Sequence, residues 1–363
     1  MAYTVKQIAD AIGADHFGDG SLVVSGVSEP AQATERDIAL AMKPDYAQHI
    51  ATGAAKVAFL WPDADWQSFG LKAAIIARRP RYALAGLSAM LDRGQAYPQG
   101  IHPTAFVDQA AAIGKNVTIG AFACIAAGAV IGDDCIIGPQ CYVGVNSTLG
   151  AHSLLREGVK IGADVRIGAH FIAQPSAIIG GDGFSFVTPE VSAVEKVRET
   201  LGDQGDIATQ SWARIHSLGG VDIGENVEVG ANTCIDRGSV RPTKIGNGVK
   251  IDNLTQIGHN VIIGNDCLIC AQVGIAGSTR IGNNVVLGGQ TGVSDNVFIG
   301  DNVITGGATK VLSNIPAGRV MLGYPAMKME THIEIYKSLR KLPRLLRDVT
   351  KLQKAIFNTD KND

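Results

Sequence analysis

A chain of 363 residues carrying 44 Gly, only 6% aromatic residues and a net charge of -2 has room for two or three domains and a large core, but too few rings for a bulky globular interior throughout. The near-neutral charge argues against nonspecific nucleic-acid binding, and no DNA- or RNA-reading motif occurs. The amino terminus MAYTVKQIAD has no apolar leader and no run of 18 apolar residues exists, so the expectation is a soluble cytoplasmic protein without a transmembrane segment.

Residues 1–97 read as a small α/β domain. Thr4 is placed to cap a helix over Val5 to Ile12, with Gln7 three residues on completing a capping box. The GDG at Gly18 to Gly20 predicts a turn into a strand over Leu22 to Val27. Lys43-Pro44-Asp45-Tyr46 should open a short helix, Lys56 to Leu60 and Ala73 to Ile76 read as buried strands, and Arg81 to Leu91 as a helix. Gln95 to Gly100 is the expected linker.

From residue 98 to 325 a different rule takes over. An aliphatic residue returns every six positions, for example at Ile119, Ile125, Ile131 and Ile137, then through Ile245, Ile251, Ile257, Ile263, Ile269 and Ile275, and Gly often follows it. A six-residue beat matches neither the 3.6 of a helix nor one isolated strand; it is the mark of a parallel β-helix. Three hexads make a triangular coil, so residues 18 apart lie one above another. The aliphatic residue points inward, small residues such as Ala123, Ala129, Cys135, Cys141 and Cys267 fill the interior four positions later, and the Gly fits a tight corner.

All six cysteines fall inside this repeat and read as reduced structural thiols. Cys267 and Cys270 form a lone CxxC without the second pair a zinc site needs, and His152, His170 and His259 do not share the stacking a three-histidine metal site requires, so no metal is expected. The beat breaks twice. An insertion runs from Gly180 to Val221, opening with GGDGFSF, and Ile235 to Ile245 spans ten residues instead of six. An irregular loop as long as the first is unusual unless functional. The tail, 326–363, has helical periodicity through Ile333, Leu339, Leu342, Leu346, Val349 and Ile356, with Pro343 expected to start a second helix. From Lys328 onward nine Lys and Arg face five Asp and Glu, which suits either a solvated face or an acidic partner.

Histidine is out of place among the Asn, Thr, Lys and Asp that line the outside of the coils. His259 follows Ile257 by two positions, Asp252 lies seven residues before it, and Gly277 stands 18 residues after it, one coil above. A carboxylate near enough to orient an imidazole, and a glycine N–H open to a ligand, suit acyl transfer with His259 as general base and direct attack by an amine or hydroxyl. A noncatalytic scaffold would share the beat but gives no reason for two loops just ahead of His259.

GGDGFSF (Gly180 to Phe186), ANTCIDRGS (Ala231 to Ser239) and KIDNLTQIGHNVIIG (Lys250 to Gly264), in this order between the amino-terminal domain and the tail, resemble the UDP-3-O-(3-hydroxyacyl)glucosamine N-acyltransferases of lipid A biosynthesis over nearly the whole chain. The resemblance implies a homotrimer of left-handed β-helices with sites between subunits. It implies transfer of a 3-hydroxyacyl chain from acyl carrier protein to the 2-amino group of a UDP-linked, 3-O-acylated glucosamine. No cofactor is implied beyond the carrier's own phosphopantetheine. It makes His259 the base, Asp252 its orienting partner and the Gly277 N–H the oxyanion donor, and it puts uridine on the amino-terminal domain against Tyr46 and Lys43. The chain departs from the family at Leu40, usually aromatic, at Lys43, usually Asn, and at Asn296, often a second His; Asn296 can position a substrate but cannot shuttle a proton. The rivals are a hexapeptide O-acyltransferase and a CoA-dependent acetyltransferase acting on a UDP-sugar.

Overall fold

The protein was analysed as a computed structural model that describes residues 2–200, 202–203, 209–324 and 326–357. It divides into two compact units, Met1–Ala96 and Tyr97–Asp363.

The first unit is built on a five-stranded sheet in the order Asp15–Gly18, Ala73–Ile76, Val57–Leu60, Asp37–Ala41, Gly26–Ser28, antiparallel at the first pair and parallel elsewhere. Alternation along the strands explains its two cores. Val57, Phe59 and Ile75 face the apolar stripes of α1 (Val5–Ile12) and α3 (Pro80–Leu91), whereas Ala58, Leu60 and Ala74 face the opposite side. Thr4 and Gln7 close the expected capping box, and a left-handed Gly13 ends α1. α2 (Pro44–Ala47) forms where Pro44 presets its first turn. The expected strand over Leu22 to Val27 is instead two short ones, Val23–Val24 and Gly26–Ser28, which pair in different sheets.

The second unit is a triangular prism. Two-residue strands stack into three parallel sheets of 10, 10 and 9 strands, each strand pairing with the one a full coil away, as in Thr118↔Ile136 and Ile257↔Ile275. This is a left-handed parallel β-helix. Its core is one continuous column in which Ile119, Ile125, Ile137, Ile257 and Ile269 and the small partners Ala129, Cys135 and Cys267 are buried. Burial pushes the Cys135 and Cys267 thiols up and that of Cys141 to about 11, which matches their interior role. Tyr97 opens the unit by donating its hydroxyl to the Glu157 carboxylate, and burial together with that carboxylate pushes its phenol up to about 12.

The corner chemistry differs from the sequence expectation. The residue with positive φ is not the Gly after the aliphatic beat but the residue three positions after it, most often Asn or Asp: Asn146 at 58°, Asp266 at 55°, Asn302 at 57°. Short polar side chains tolerate that left-handed turn. The Gly is required by close stacking instead. A Cβ on Gly144 would stand 2.5 Å from Gly162 C and 2.7 Å from Ala163 N, backbone atoms of the next coil.

His152 and His170 stack with ring centroids 4.9 Å apart while His259 lies elsewhere, so the three do not share one stack, and among the described residues no group of three or more His, Cys, Asp or Glu could hold a metal ion. One further expectation changes. Pro343 does not start a second helix. It sits inside α5 (Met329–Phe357), after α4 (Ala193–Thr200) of the insertion, and the apolar positions continue across it because losing one N–H and its turn contact does not interrupt so long a helix. The Gly323-Tyr324-Pro325 stretch, which reads as a turn in the sequence, includes a residue outside those described, and positions 201 and 204–208 of the insertion and 358–363 of the tail also lie outside them. No described helix is long and apolar enough to cross a membrane.

The stacking account of glycine is testable. Gly144→Ala should cost about 1–3 kcal/mol by overpacking against rigid backbone, read as a clear drop in Tm. Gly181→Ala, whose Cβ would meet only Ile178 Cγ2 at 3.8 Å, should leave Tm unchanged.

Candidate active site

His259 occupies a position that elsewhere is structural. Two residues past the inward aliphatic position of another corner, Asn247, Asn265, Asn283 and Asp301 form a ladder, each side-chain oxygen accepting the N–H of the matching residue one coil earlier at 2.7 to 2.8 Å. At the corner after strand Gln256–Ile257 the same phase carries His259 and, one coil on, Gly277. The ladder is replaced by an imidazole and an open space above it.

The ring is held on several sides. Its Nδ1 lies 2.9 Å from Asn260 Oδ1. The Asn260 amide cannot turn, because its Nδ2 donates to Arg241 O at 2.9 Å and its Oδ1 accepts from the Ser239 N–H at 3.1 Å. Arg241 in turn donates to Asn260 O at 2.7 Å. With Oδ1 fixed as an acceptor, Nδ1 carries the proton and Nε2 keeps its lone pair. A Cβ on Gly277 would stand 2.8 Å from both Cε1 and Nε2, so the unprotonated edge of the ring lies beside Gly277. On another side a Cβ on Gly183 would stand 2.7 Å from His259 Cβ, and the Gly183 N–H donates to Ser217 Oγ at 2.9 Å, tying together the two ends of the insertion.

Both departures from the hexad beat therefore converge on one side chain. The ten-residue spacing after Ile235 supplies Ser239 and Arg241, which clamp Asn260; the insertion supplies Gly183 and a rim of aromatic residues. Phe184 is 85% exposed, its ring 5.0 Å from that of Phe186, over which the Arg214 guanidinium sits at 4.7 Å. Asp236, at the end of strand Cys234–Asp236, lies one coil below the His259 corner, with Gln256 on the paired strand. Burial raises its pKa, with Gln256 and His259 pulling it partly back down and Asp182 adding to the rise.

Asp252 is not among these groups. It ends strand Lys250–Ile251 on a different face, accepts the Asn253 N–H at 2.7 Å, and lines a cavity of about 510 Å³ with Gln174, Glu228, Lys250 and Leu268. The six residues between Asp252 and His259 carry the chain around a corner, so within one chain Asp252 does not orient the ring; Asn260 does. Asn296 is exposed next to this corner, its N–H on Gly277 O at 3.1 Å and its Nδ2 on Asp295 Oδ2 at 3.1 Å. In the first unit Tyr46 is 52% exposed, which leaves no helix-packing role for its ring, and Lys43 is exposed at the N-cap of α2 without a capping bond. Leu40 packs against the core and is not part of an exposed clamp.

A three-sided hexapeptide coil bearing a single imidazole of fixed tautomer in a glycine-lined corner defines a hexapeptide-repeat transferase. Consistent with that class, residues 110–145 and 242–277 match the family described as bacterial transferase hexapeptide (six repeats), and residues 136–169 and 220–253 match the hexapeptide repeat of succinyl-transferase. Curated relatives named UDP-3-O-acylglucosamine N-acyltransferase are 65% identical in Ruegeria pomeroyi (98% of each chain), 55% in Paracoccus denitrificans (100% of each) and 43% in Syntrophotalea carbinolica (99% of this chain, 98% of the relative). The chain therefore belongs to the UDP-3-O-acylglucosamine N-acyltransferase family and is an acyltransferase. Among solved structures, an Arabidopsis UDP-N-acetylglucosamine acyltransferase matches 62% of this chain and 71% of its own at 23% identity and a TM-score of 0.51, a likeness of fold.

The tautomer is open to direct measurement. In ¹⁵N spectra of histidine-labelled protein, neutral His259 should show a protonated Nδ1 and a bare Nε2, and Asn260→Leu should remove that preference.

Proposed function

We propose that the protein transfers a 3-hydroxyacyl chain from the phosphopantetheine thioester of acyl carrier protein to the 2-amino group of UDP-3-O-(3-hydroxyacyl)glucosamine, a step of lipid A biosynthesis. The observation that carries the chemistry is the free Nε2 of His259, locked toward Gly277 by Asn260; the names of the full-length relatives carry the substrate class. Nε2 takes a proton from the amine as its nitrogen attacks the thioester carbonyl, and the Gly277 N–H receives the developing oxyanion. Collapse breaks the C–S bond, and the imidazolium returns its proton to the leaving thiolate, leaving an amide and a free carrier thiol. General-base help contributes roughly 10²- to 10⁴-fold, and an oxyanion donor about 2.7–4 kcal/mol. The locked ring needs no reorganisation at the moment of reaction.

Self-association as a homotrimer is supported by the outer surface of one sheet. Its outward residues include Ile136, Leu154, Ile172, Leu268, Val286 and Ile304, interrupted by Glu228 and Lys250 beside Asp252, whereas another face mixes Val130, Ile262 and Phe298 with Arg166, Asp222, Lys244 and Arg280. Asp252 and its cavity lie on the apolar face, so a neighbouring copy packed there would bring its His259 corner toward Asp252, which then serves as orienting partner across the interface. Asn296 positions the acceptor sugar beside Gly277. Tyr46 and Lys43 of the first unit contact uridine, with Tyr46 offering the exposed ring for stacking. The cations of α5, among them Arg340, Lys341, Arg344, Arg347 and Lys351, meet the acidic carrier.

Turnover with UDP-3-O-acylglucosamine and 3-hydroxyacyl carrier protein, measured at matched trimer content, tests the assignment. His259→Ala should lower kcat/KM at least about 100-fold with Tm retained, and Gly277→Ala, which keeps its N–H but places a Cβ 2.8 Å from the ring's Cε1 and Nε2, should lower it by displacing the imidazole. Acetyl transfer from CoA by a protein inactive with that pair would replace this reading with the acetyltransferase one, and full activity in His259→Ala would remove the base.

A further inference from the structure

We propose that Asp236 is the counter-charge of His259, a positioning residue that steadies the imidazolium formed when the base takes its proton. The proposal rests on the acyl-transfer reading given above, and concerns how the proton-accepting step is stabilised.

The placement follows from register. Ile235 pairs with Ile257, so Asp236 runs alongside Gly258 and His259 on the adjacent coil, about 4.8 Å away in the strand-to-strand direction. On its other side Gly181 is its partner, at a bulge in the ladder, and the Arg237 N–H donates to Gly181 O at 2.8 Å. The carboxylate is thus half-buried between the coil that carries the base and the mouth of the insertion.

Its partners are unusual for a carboxylate in such a place. The neutral Gln256 amide on the paired strand is the group that most offsets the effect of its burial, and among the described residues it forms no ion pair. Its chain neighbour Arg237 is committed elsewhere, donating through Nε to Gly219 O at 2.6 Å and reaching Asp164 Oδ2 at 3.5 Å through Nη2. Asp182 adds a second negative charge on the same side. A half-buried carboxylate without a permanent cation is under-compensated at rest, and the direction of its pKa shift, upward through desolvation, agrees with that. The missing positive charge arises on His259 only as the amine gives up its proton. The attraction is therefore weak in the ground state and strong in the transition state, which is the form of interaction that raises kcat instead of merely tightening binding.

The competing possibility is that Asp236 only finishes the bulge. Asp236→Asn separates the two, because the amide keeps the shape while losing the charge. The expected result is a fall in kcat of about tenfold or more, the equivalent of one pH unit of differential interaction, with KM and Tm near native. The sign of the pH effect is also set. A carboxylate favours the protonated ring, so its removal should move the acid limb of the kcat/KM profile to lower pH. An unchanged kcat and profile, or a loss of kcat matched by a loss of Tm, overturns the proposal. Ring ¹⁵N titration without substrate separates this outcome from failure of the functional reading. If native protein does not acylate the proposed pair but the His259 signals change over at lower pH in Asp236→Asn, the coupling stands and the reaction assignment falls; if the signals do not move, the coupling itself is absent.

Discussion

The constraint on which the second unit depends is that each residue has a neighbour 18 positions along the chain, stacked at strand spacing. Little can deviate under such a rule. The core must repeat an aliphatic residue and a small one, the corner must accept a left-handed turn, and the residue after the aliphatic position must leave room for backbone directly above it, as Gly144 does against Gly162. The backbone N–H groups at one corner are satisfied by the next coil's Asn or Asp, so even the outward polar residues take part in holding the stack. Its regularity makes the few irregular positions informative.

The active corner is built from such irregularities. Where the ladder would continue, His259 and Gly277 stand instead, and the two places where the chain leaves the beat both return to the same imidazole. The ten-residue spacing brings Ser239 and Arg241 onto the Asn260 amide, and Asn260 fixes which ring nitrogen is free. The insertion lays Gly183 against the other side of the ring. A ring mounted this way is held by packed backbone more than by mobile side chains, which is the preorganisation that the proposed general-base role calls for.

The first unit and α5 are organised by more familiar rules, and most of their elements were legible in advance. The Thr4/Gln7 capping box, the helix opened at Pro44 and the strand Ala73–Ile76 formed where local chemistry indicated. Pro343 was misleading for a physical reason: proline suits the first turn of a helix, but in a helix of 29 residues the surrounding turns can tolerate it in the interior. The divided strand at Val23–Val24 and Gly26–Ser28 likewise reflects a choice of pairing partner, which local propensity does not encode.

By itself the sequence determined the coil, its inward and outward residues, the interruptions and the placement of Gly277 one coil above His259, because a period of six and a stacking distance of 18 convert position directly into space. It also concealed the role of Asn260, since asparagine three positions after the beat is what any left-handed corner would select. Only the tertiary structure decided that Asn260, and not Asp252, holds the ring within the chain, that Asp236 lies on the coil beside it, and that Gly183 closes against it. Those contacts depend on how two stretches outside the repeat fold back onto a corner, and the hexad rule assigns coordinates only to residues that obey it.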